Sequence, residues 1–175
     1  YENVPLRKRA HKAPEFRAKN SLGQVPVLEL DYGTTLCESV SICRYLEELQ
    51  PTPPLFGETA LERAQIDMWI RRVEFVVMQP VAAVWVHAHP LTAGLGAQFK
   101  DFGESRRDLA AKAMLWLDRE LTGHDYILGS RFSMADIVTL TTIDFASFIG
   151  LAVPEPCERL RAWHGRVSQR PSAKA

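Results

Sequence analysis

Only three cysteines, Cys37, Cys43 and Cys157, occur in 175 residues, and no two of them form a CxxC pair. An odd number without that spacing argues against a disulfide framework and for a reducing compartment. Charge of one sign is missing too. The 21 Lys and Arg balance 21 Asp and Glu, so nothing global draws the chain to nucleic acid or acidic lipid. No stretch approaches the roughly 20 apolar residues of a membrane span. Internal repeats and low-complexity tracts are absent as well. No secretory leader is visible. The chain opens on Tyr1 inside what reads as a strand, Tyr1 to Leu6, and stops at Arg170-Pro-Ser-Ala-Lys-Ala without a helix cap. Residues are therefore expected to be missing at both ends.

What is present is an ordinary globular composition, 46% hydrophobic and 24% charged, long enough for one generous domain or two small ones. The balance of charge is broken locally. Residues 1–20 carry Arg7, Lys8, Arg9, Lys12, Arg17 and Lys19 against Glu2 and Glu15. Residues 24–30 form a short Val- and Leu-rich strand. Asp31-Tyr-Gly-Thr is a hairpin turn with positive φ supplied by Gly33, and Thr34 to Cys37 returns as a second strand. From Ser39 the period changes to that of a helix, with Val40, Cys43, Leu46 and Leu49 on one face and Ile42 beside it. Pro51, Pro53 and Pro54 end that helix and mark a boundary between residues 1–52 and 58–175.

Everything beyond the boundary reads as helix. Leu61 to His89 places Ile66, Trp69, Ile70, Val73, Val76, Val77 and Val84 at helical spacing, with Pro80 as an internal kink. A glycine-rich loop, Thr92 to Gly103, follows; its Gly94-Leu-Gly96 is too sparse and too far from any strand to cradle phosphate. Glu104 to Leu121 is amphipathic, with Gly123 just past its end. In Phe132-Ser-Met-Ala-Asp-Ile, Ser133 is the N-cap, Asp136 the N3 partner of a capping box, and Phe132 and Ile137 the hydrophobic staple. The helix that follows, to Ile149, is apolar almost all round and is expected at the centre of the helical part. A last helix, Glu155 to Arg170, presents Leu160, Trp163 and Val167.

Two short features carry chemistry. Val25-Pro26 stands where a strand begins. A cis bond there would turn the N–H and C=O of Val25 outward, an open edge that an extended peptide can complete; a trans proline opening an edge strand is the plainer reading of the pair alone. Thirteen residues after Pro26, Ser39 as N-cap leaves first-turn N–H groups pointing outward, where the helix dipole favours a carboxylate. Glu38 beside it can accept from an ammonium. Carboxylate and ammonium on one carbon are the head of an α-amino acid, as in the γ-glutamyl group of glutathione.

Taken with His11-Lys-Ala-Pro-Glu-Phe16, Asn20-Ser-Leu-Gly-Gln-Val-Pro-Val-Leu28, Arg63-Ala64, the capping segment, Leu160-Arg-Ala-Trp163 and Arg170-Pro171, these features resemble the glutathione S-transferase superfamily along essentially the whole chain. The likeness is greatest to its bacterial and fungal cytosolic group. It implies an incomplete thioredoxin-like α/β domain followed by an all-α domain, paired as a cytoplasmic homodimer. Residues around Trp69 to Glu74, with Arg71 and Arg72, would lie partly in that interface. Val25 and Pro26 would hold the cysteinyl backbone of glutathione, and Glu38 and Ser39 its γ-glutamyl end. His11, Lys12 and Gln24 would lie near the glycyl carboxylate.

The family's sulfur-activating Tyr, Ser or Cys stands on a first strand and helix that precede this segment, so the catalytic group is expected outside the residues given. The electrophile pocket is expected around Phe75, Met78 and Trp85. His87 is a candidate for acting near the sulfur, with His89 behind it. Two residues apart on a helix they do not share a metal, and none is expected. Cys37 beside Glu38 is read as strand burial, and Cys43 and Cys157 as core. The reaction implied is conjugation of the glutathione thiol to an apolar electrophile. A glutathione-dependent peroxidase or disulfide reductase and a non-catalytic interaction module are the alternatives.

Overall fold

The structure is a computed structural model that describes residues 2–174, the side chain of Arg7 excepted. The chain divides into two compact units, residues 1–54 and 55–175.

In the first unit, of the expected leading strand, Tyr1 lies outside the described residues. Residues 2–5 are neither helix nor strand, and Leu6–Lys8 and Ala10–Lys12 are 3₁₀ turns. Pro5 brings no N–H, and its carbonyl closes the first turn by accepting from Lys8 at 3.1 Å. Helix α1, Pro14–Lys19, starts with proline at its first position, where a missing N–H costs nothing. Strands β1, Val27–Glu29, and β2, Thr35–Cys37, pair antiparallel with Val27 opposite Cys37. The Leu30–Thr34 turn closes through Gly33 N–H to the Leu30 carbonyl at 2.8 Å, and Gly33 has φ +84°.

Helix α2 runs Ser39–Leu49. Its first turn closes from Glu38, whose carbonyl accepts the Ile42 N–H at 3.0 Å, so Glu38 is the N-cap and Ser39 the first helical residue. That corrects the expected cap by one position. The face expected to be buried is corrected as well: Ile42 is buried, whereas Leu46 and Leu49 are 47% and 65% exposed. Cys43 is half-buried rather than core.

The second unit begins with α3, Ala60–Arg72, which has a complete Thr59/Glu62 capping box that the sequence reading passed over. The chain does not simply kink at Pro80. It widens into a π-helical segment, Val73–Met78, and continues as α4, Gln79–His87, with Pro80 buried near its start. A π segment shifts hydrogen bonds from the fourth to the fifth residue, which absorbs a residue that cannot donate. One residue of the expected apolar stripe, Val76, is 43% exposed, while Val81, between helical neighbours Val77 and Val84, is fully buried.

Helix α5, Lys100–Glu120, starts four residues before its expected position, which brings Gly103 inside it. A Cβ built on Gly103 would meet the Ala88 backbone nitrogen at 2.8 Å, so this glycine is what lets α5 lie against the end of α4. Helix α6, Met134–Phe148, packs on α3, the π segment and α7, Glu158–Val167. Its buried Thr139 and Thr142 satisfy their hydroxyls on the Ala135 and Val138 carbonyls, both at 2.7 Å.

One buried carboxylate ties these helices together. Oδ1 of Asp136 accepts from the Ile127 N–H and the Trp163 indole N–H, both at 2.9 Å. Oδ2 accepts from the Ser133 N–H at 3.0 Å and the Ser133 hydroxyl at 3.2 Å. The ring of Phe132 contacts Tyr126 and the Arg170 guanidinium. Asp118 of α5 does a related job for α7, accepting from the Leu160 N–H at 2.9 Å and pairing with Arg159.

Two predictions follow from this packing, both read by urea denaturation through the four tryptophans, which all lie in the second unit. Gly103→Ala is expected to cost about 1–2 kcal/mol, because overpacking against backbone exceeds the gain of about 1 kcal/mol from helix propensity. A stabilised variant would show that the helices do not touch there. Asp136→Asn turns an amide NH₂ toward donors and is expected to cost about 2 kcal/mol. Burial raises the Asp136 carboxyl above its ordinary 3.8, against the pull of its four donors. Its stability contribution is thus full below that ordinary value and lost as pH rises through the raised one. The gap between wild type and Asp136→Asn should widen on acidification; a gap that narrows contradicts this.

Candidate functional site

The hairpin register explains why the two sequence features stand thirteen residues apart. The ladder ends at Val27 opposite Cys37, so Val25-Pro26 enters the sheet at the same end at which Glu38-Ser39 leaves it. The strand entry and the helix entry therefore meet at one end of the same two-stranded sheet. The Val25–Pro26 peptide is cis. Val25 is 41% exposed, and among the described residues nothing pairs with its N–H or C=O. At the same end, Glu38 has φ +65°, a left-handed conformation uncommon for a residue with a side chain. Helix α2 starts directly after it, and no side chain caps its first N–H groups. Glu38 and Ser39 are both exposed.

The flank of this edge is basic and tightly tied. His11 and Lys12 sit in the Ala10–Lys12 turn. Nδ1 of His11 is buried without a hydrogen-bond partner among the described residues. The Lys12 ammonium donates to the carbonyls of Gly23 at 2.7 Å and Leu22 at 3.3 Å. Gln24 is exposed next to Val25, and its carbonyl accepts from Asn20 at 2.9 Å. Asn20, 6% exposed, had no assigned role in the sequence reading. Its Oδ1 accepts the Leu22 N–H at 3.1 Å, the two-residue turn for which asparagine before a glycine-containing loop is the available signal.

In the second unit an open groove of about 620 Å³ runs between the π segment with α4 and α5, lined by Phe75, Pro80, Ala83, Leu109 and Trp116. Of the expected pocket residues only Phe75 lines it. Trp85 instead packs against His89, Phe145 and Phe148, with ring centroids at 4.8, 5.5 and 6.1 Å. Met78 is half-buried and outside the groove. His87 ends α4 with its ring beside Phe99 and Phe102, and its Nδ1 is buried without a partner among the described residues. His89 has a local job: its Nδ1 accepts the Leu91 N–H at 3.2 Å and caps the Pro90–Thr92 turn.

Cys43 and Cys157 are poorly disposed to act as nucleophiles. Burial pushes the Cys43 and Cys157 thiols up, away from the reactive thiolate, and the nearby Asp118 adds to the effect at Cys157. Cys37, on β2, is half-buried with Sγ 3.9 Å from the Lys19 carbonyl. No group of three or more His, Cys, Asp or Glu suited to a metal occurs among the described residues. No described helix is long and apolar enough to cross a membrane.

Comparison with known proteins places this geometry in a family. The family model described as Glutathione S-transferase, N-terminal domain, matches residues 1–54, and that for the Glutathione S-transferase, C-terminal domain, matches residues 67–166. Glutathione S-transferase 2 of Saccharomyces cerevisiae is 44% identical over 179 residues, covering 99% of this chain and 76% of that protein. The crystal structure of Gtt2 from Saccharomyces cerevisiae superposes with a TM-score of 0.89 at 44% identity, over 98% of this chain and 83% of that one. A probable elongation factor 1-gamma of Arabidopsis thaliana is 30% identical over 134 residues, covering 77% of this chain and 31% of that protein. Both family domains, in order along the sequence, and a 44% identical relative make this chain a member of the glutathione S-transferase family.

Proposed function

We propose that the chain binds glutathione at the Val25/Ser39 end of its hairpin and conjugates the thiol to an apolar electrophile. The observation that supports this is the cis Val25–Pro26 peptide with the unpaired backbone of Val25, at the end of the sheet where the uncapped α2 begins. An extended tripeptide lying there adds backbone hydrogen bonds to Val25 beside Pro26, strand fashion. Its γ-glutamyl carboxylate meets the first-turn N–H groups of α2 with Ser39, and its ammonium meets Glu38. His11, Lys12 and Gln24 border the glycyl end, where positive charge suits a net anion. On this reading residues 1–52 form the glutathione-binding domain and 58–175 the helical domain.

Conjugation needs the sulfur as thiolate, because thiolate is the nucleophile. We assign that activation to no residue of the binding edge; His87 is the candidate this chain offers. Phe75, in the groove of the second unit, is the expected pocket residue best placed to meet an apolar electrophile. We also propose a homodimer, supported by the exposed Met68 beside Arg71 and Arg72. Three free thiols accord with a cytoplasmic setting.

A second reading, a non-catalytic interaction module, is favoured by the similarity to elongation factor 1-gamma. Retention on immobilised glutathione separates the two. Wild type is expected to be retained. Glu38→Ala and Ser39→Ala are each expected to lose about tenfold or more in affinity, since each removes a hydrogen bond to a charged group. Equal behaviour of wild type and both variants would sink the site. Turnover of an aryl halide then identifies a transferase, whereas turnover of a hydroperoxide alone identifies a peroxidase.

A further inference from the structure

The groove of the second unit is not uniformly apolar. On α5 its wall is a stripe at three- and four-residue spacing, Phe102, Arg106, Leu109, Ala113 and Trp116. Arg106 is the only charged side chain of that stripe, and Lys112 lines the groove beside it. No described lining residue is acidic. The next residue along, Arg107, is paired: its guanidinium forks onto Glu104 at 2.5 and 3.3 Å. Arg106 differs. Its guanidinium lies over the Phe102 ring, 4.3 Å from the centroid, and its Nε is buried without a hydrogen-bond partner among the described residues. Three and four residues away on α5 stand Phe102, Gly103, Leu109 and Ala110, so its own helix face offers it no carboxylate. A buried donor left unmade is costly, and a bound acceptor would relieve it.

We infer that this groove selects an aromatic ring carrying a carboxylate or similar anionic group, and that Arg106 determines the selection. A guanidinium stays charged and offers its N–H donors in a planar fork that matches a carboxylate. Resting on Phe102, it gives up little freedom when it pairs, and the apolar walls reduce the screening of its charge. Lys112 adds positive charge, while Phe75 and Trp116 supply aromatic surface for the ring. At about 620 Å³ the groove has the size of a small-molecule site. The inference rests on the transferase reading above and deepens it: the electrophile of the proposed conjugation is an organic anion. With an aryl chloride, the glutathione thiolate forms the S–C bond as the C–Cl bond breaks; chloride leaves, and the thiol proton goes to solvent.

The test compares dinitrobenzoate with dinitrobenzene, the same ring without the carboxylate, by calorimetric titration in the absence of glutathione. Wild type is expected to bind the benzoate about tenfold more tightly, as one hydrogen bond to a charged group allows, and to lose that advantage as salt is raised. Arg106→Met is expected to bind both rings alike, with dinitrobenzene unchanged. Arg106→Lys, which keeps the charge and loses the fork, is expected to retain part of the difference. If Arg106→Met binds neither ring, Arg106→Gln decides by the same comparison. Equal binding of the two rings by wild type, binding of neither, or a preference that survives loss of the guanidinium would each overturn the proposal. With glutathione added, the kcat/KM ratio of chlorodinitrobenzoate to chlorodinitrobenzene is expected to fall about tenfold in Arg106→Met; an unchanged ratio shows that the electrophile binds elsewhere and overturns the substrate class. Turnover of neither chloride, with dinitrobenzoate still bound, overturns the transferase reading itself, and that failure is told apart because the binding step needs no glutathione.

Discussion

Three residue pairs, Val27 with Cys37, Leu28 with Leu36 and Glu29 with Thr35, set the register on which the site depends. Side chains alternate faces along a strand, so a slip of one residue would turn every one of them over and shift the strand entry relative to the helix entry. The Leu30–Thr34 turn enforces that register from one end through Gly33. From the other end Glu38, at φ +65°, breaks the strand and starts the helix within one residue. Strain of that kind persists only where the surroundings fix it. Here a paired strand precedes it and a helix follows.

The second unit depends on a different constraint. Asp136 gathers donors from the segment before α6, from the α6 cap and from α7, so three separate pieces of chain converge on one carboxylate. In the same unit Val73 and Val77 from the π segment, Val81 and Val84 from α4, and Met114 and Leu117 from α5 are fully buried. Each such side chain contributes about 1.5–3 kcal/mol relative to exposure. The polar hub adds direction to that apolar drive: an indole N–H has a single donor, and it points at Asp136.

Much of this was legible in the sequence because it rests on local rules. Gly33 in the turn, the change of period at Ser39, the prolines at 51–54 and the Ser133/Asp136 capping box each follow from residue type and spacing. The features that were missed depend on what lies across space. Leu46 and Leu49 fit a helical stripe yet stay exposed, because periodicity shows which residues share a face and not what covers it. Pro80 reads as a kink, but whether a helix bends or widens to a π segment is settled by packing. Gly103 reads as loop composition until Ala88 is found against it. In the site, Val25, Pro26, Glu38 and Ser39 could be named from type and position. Lys12 reads as a charge for a ligand, and only the fold shows its ammonium on the carbonyls of Leu22 and Gly23.

The central claim is that one end of a short hairpin holds glutathione between the backbone of Val25 and the start of α2. The most direct measurement is a residue-resolved amide spectrum of the ¹⁵N-labelled protein titrated with glutathione. The account predicts that the amides of Val25, Ser39 and Val40 shift most and saturate together at one ligand concentration. Shifts confined to other parts of the chain, with Val25 and Ser39 unmoved at saturation, would contradict it.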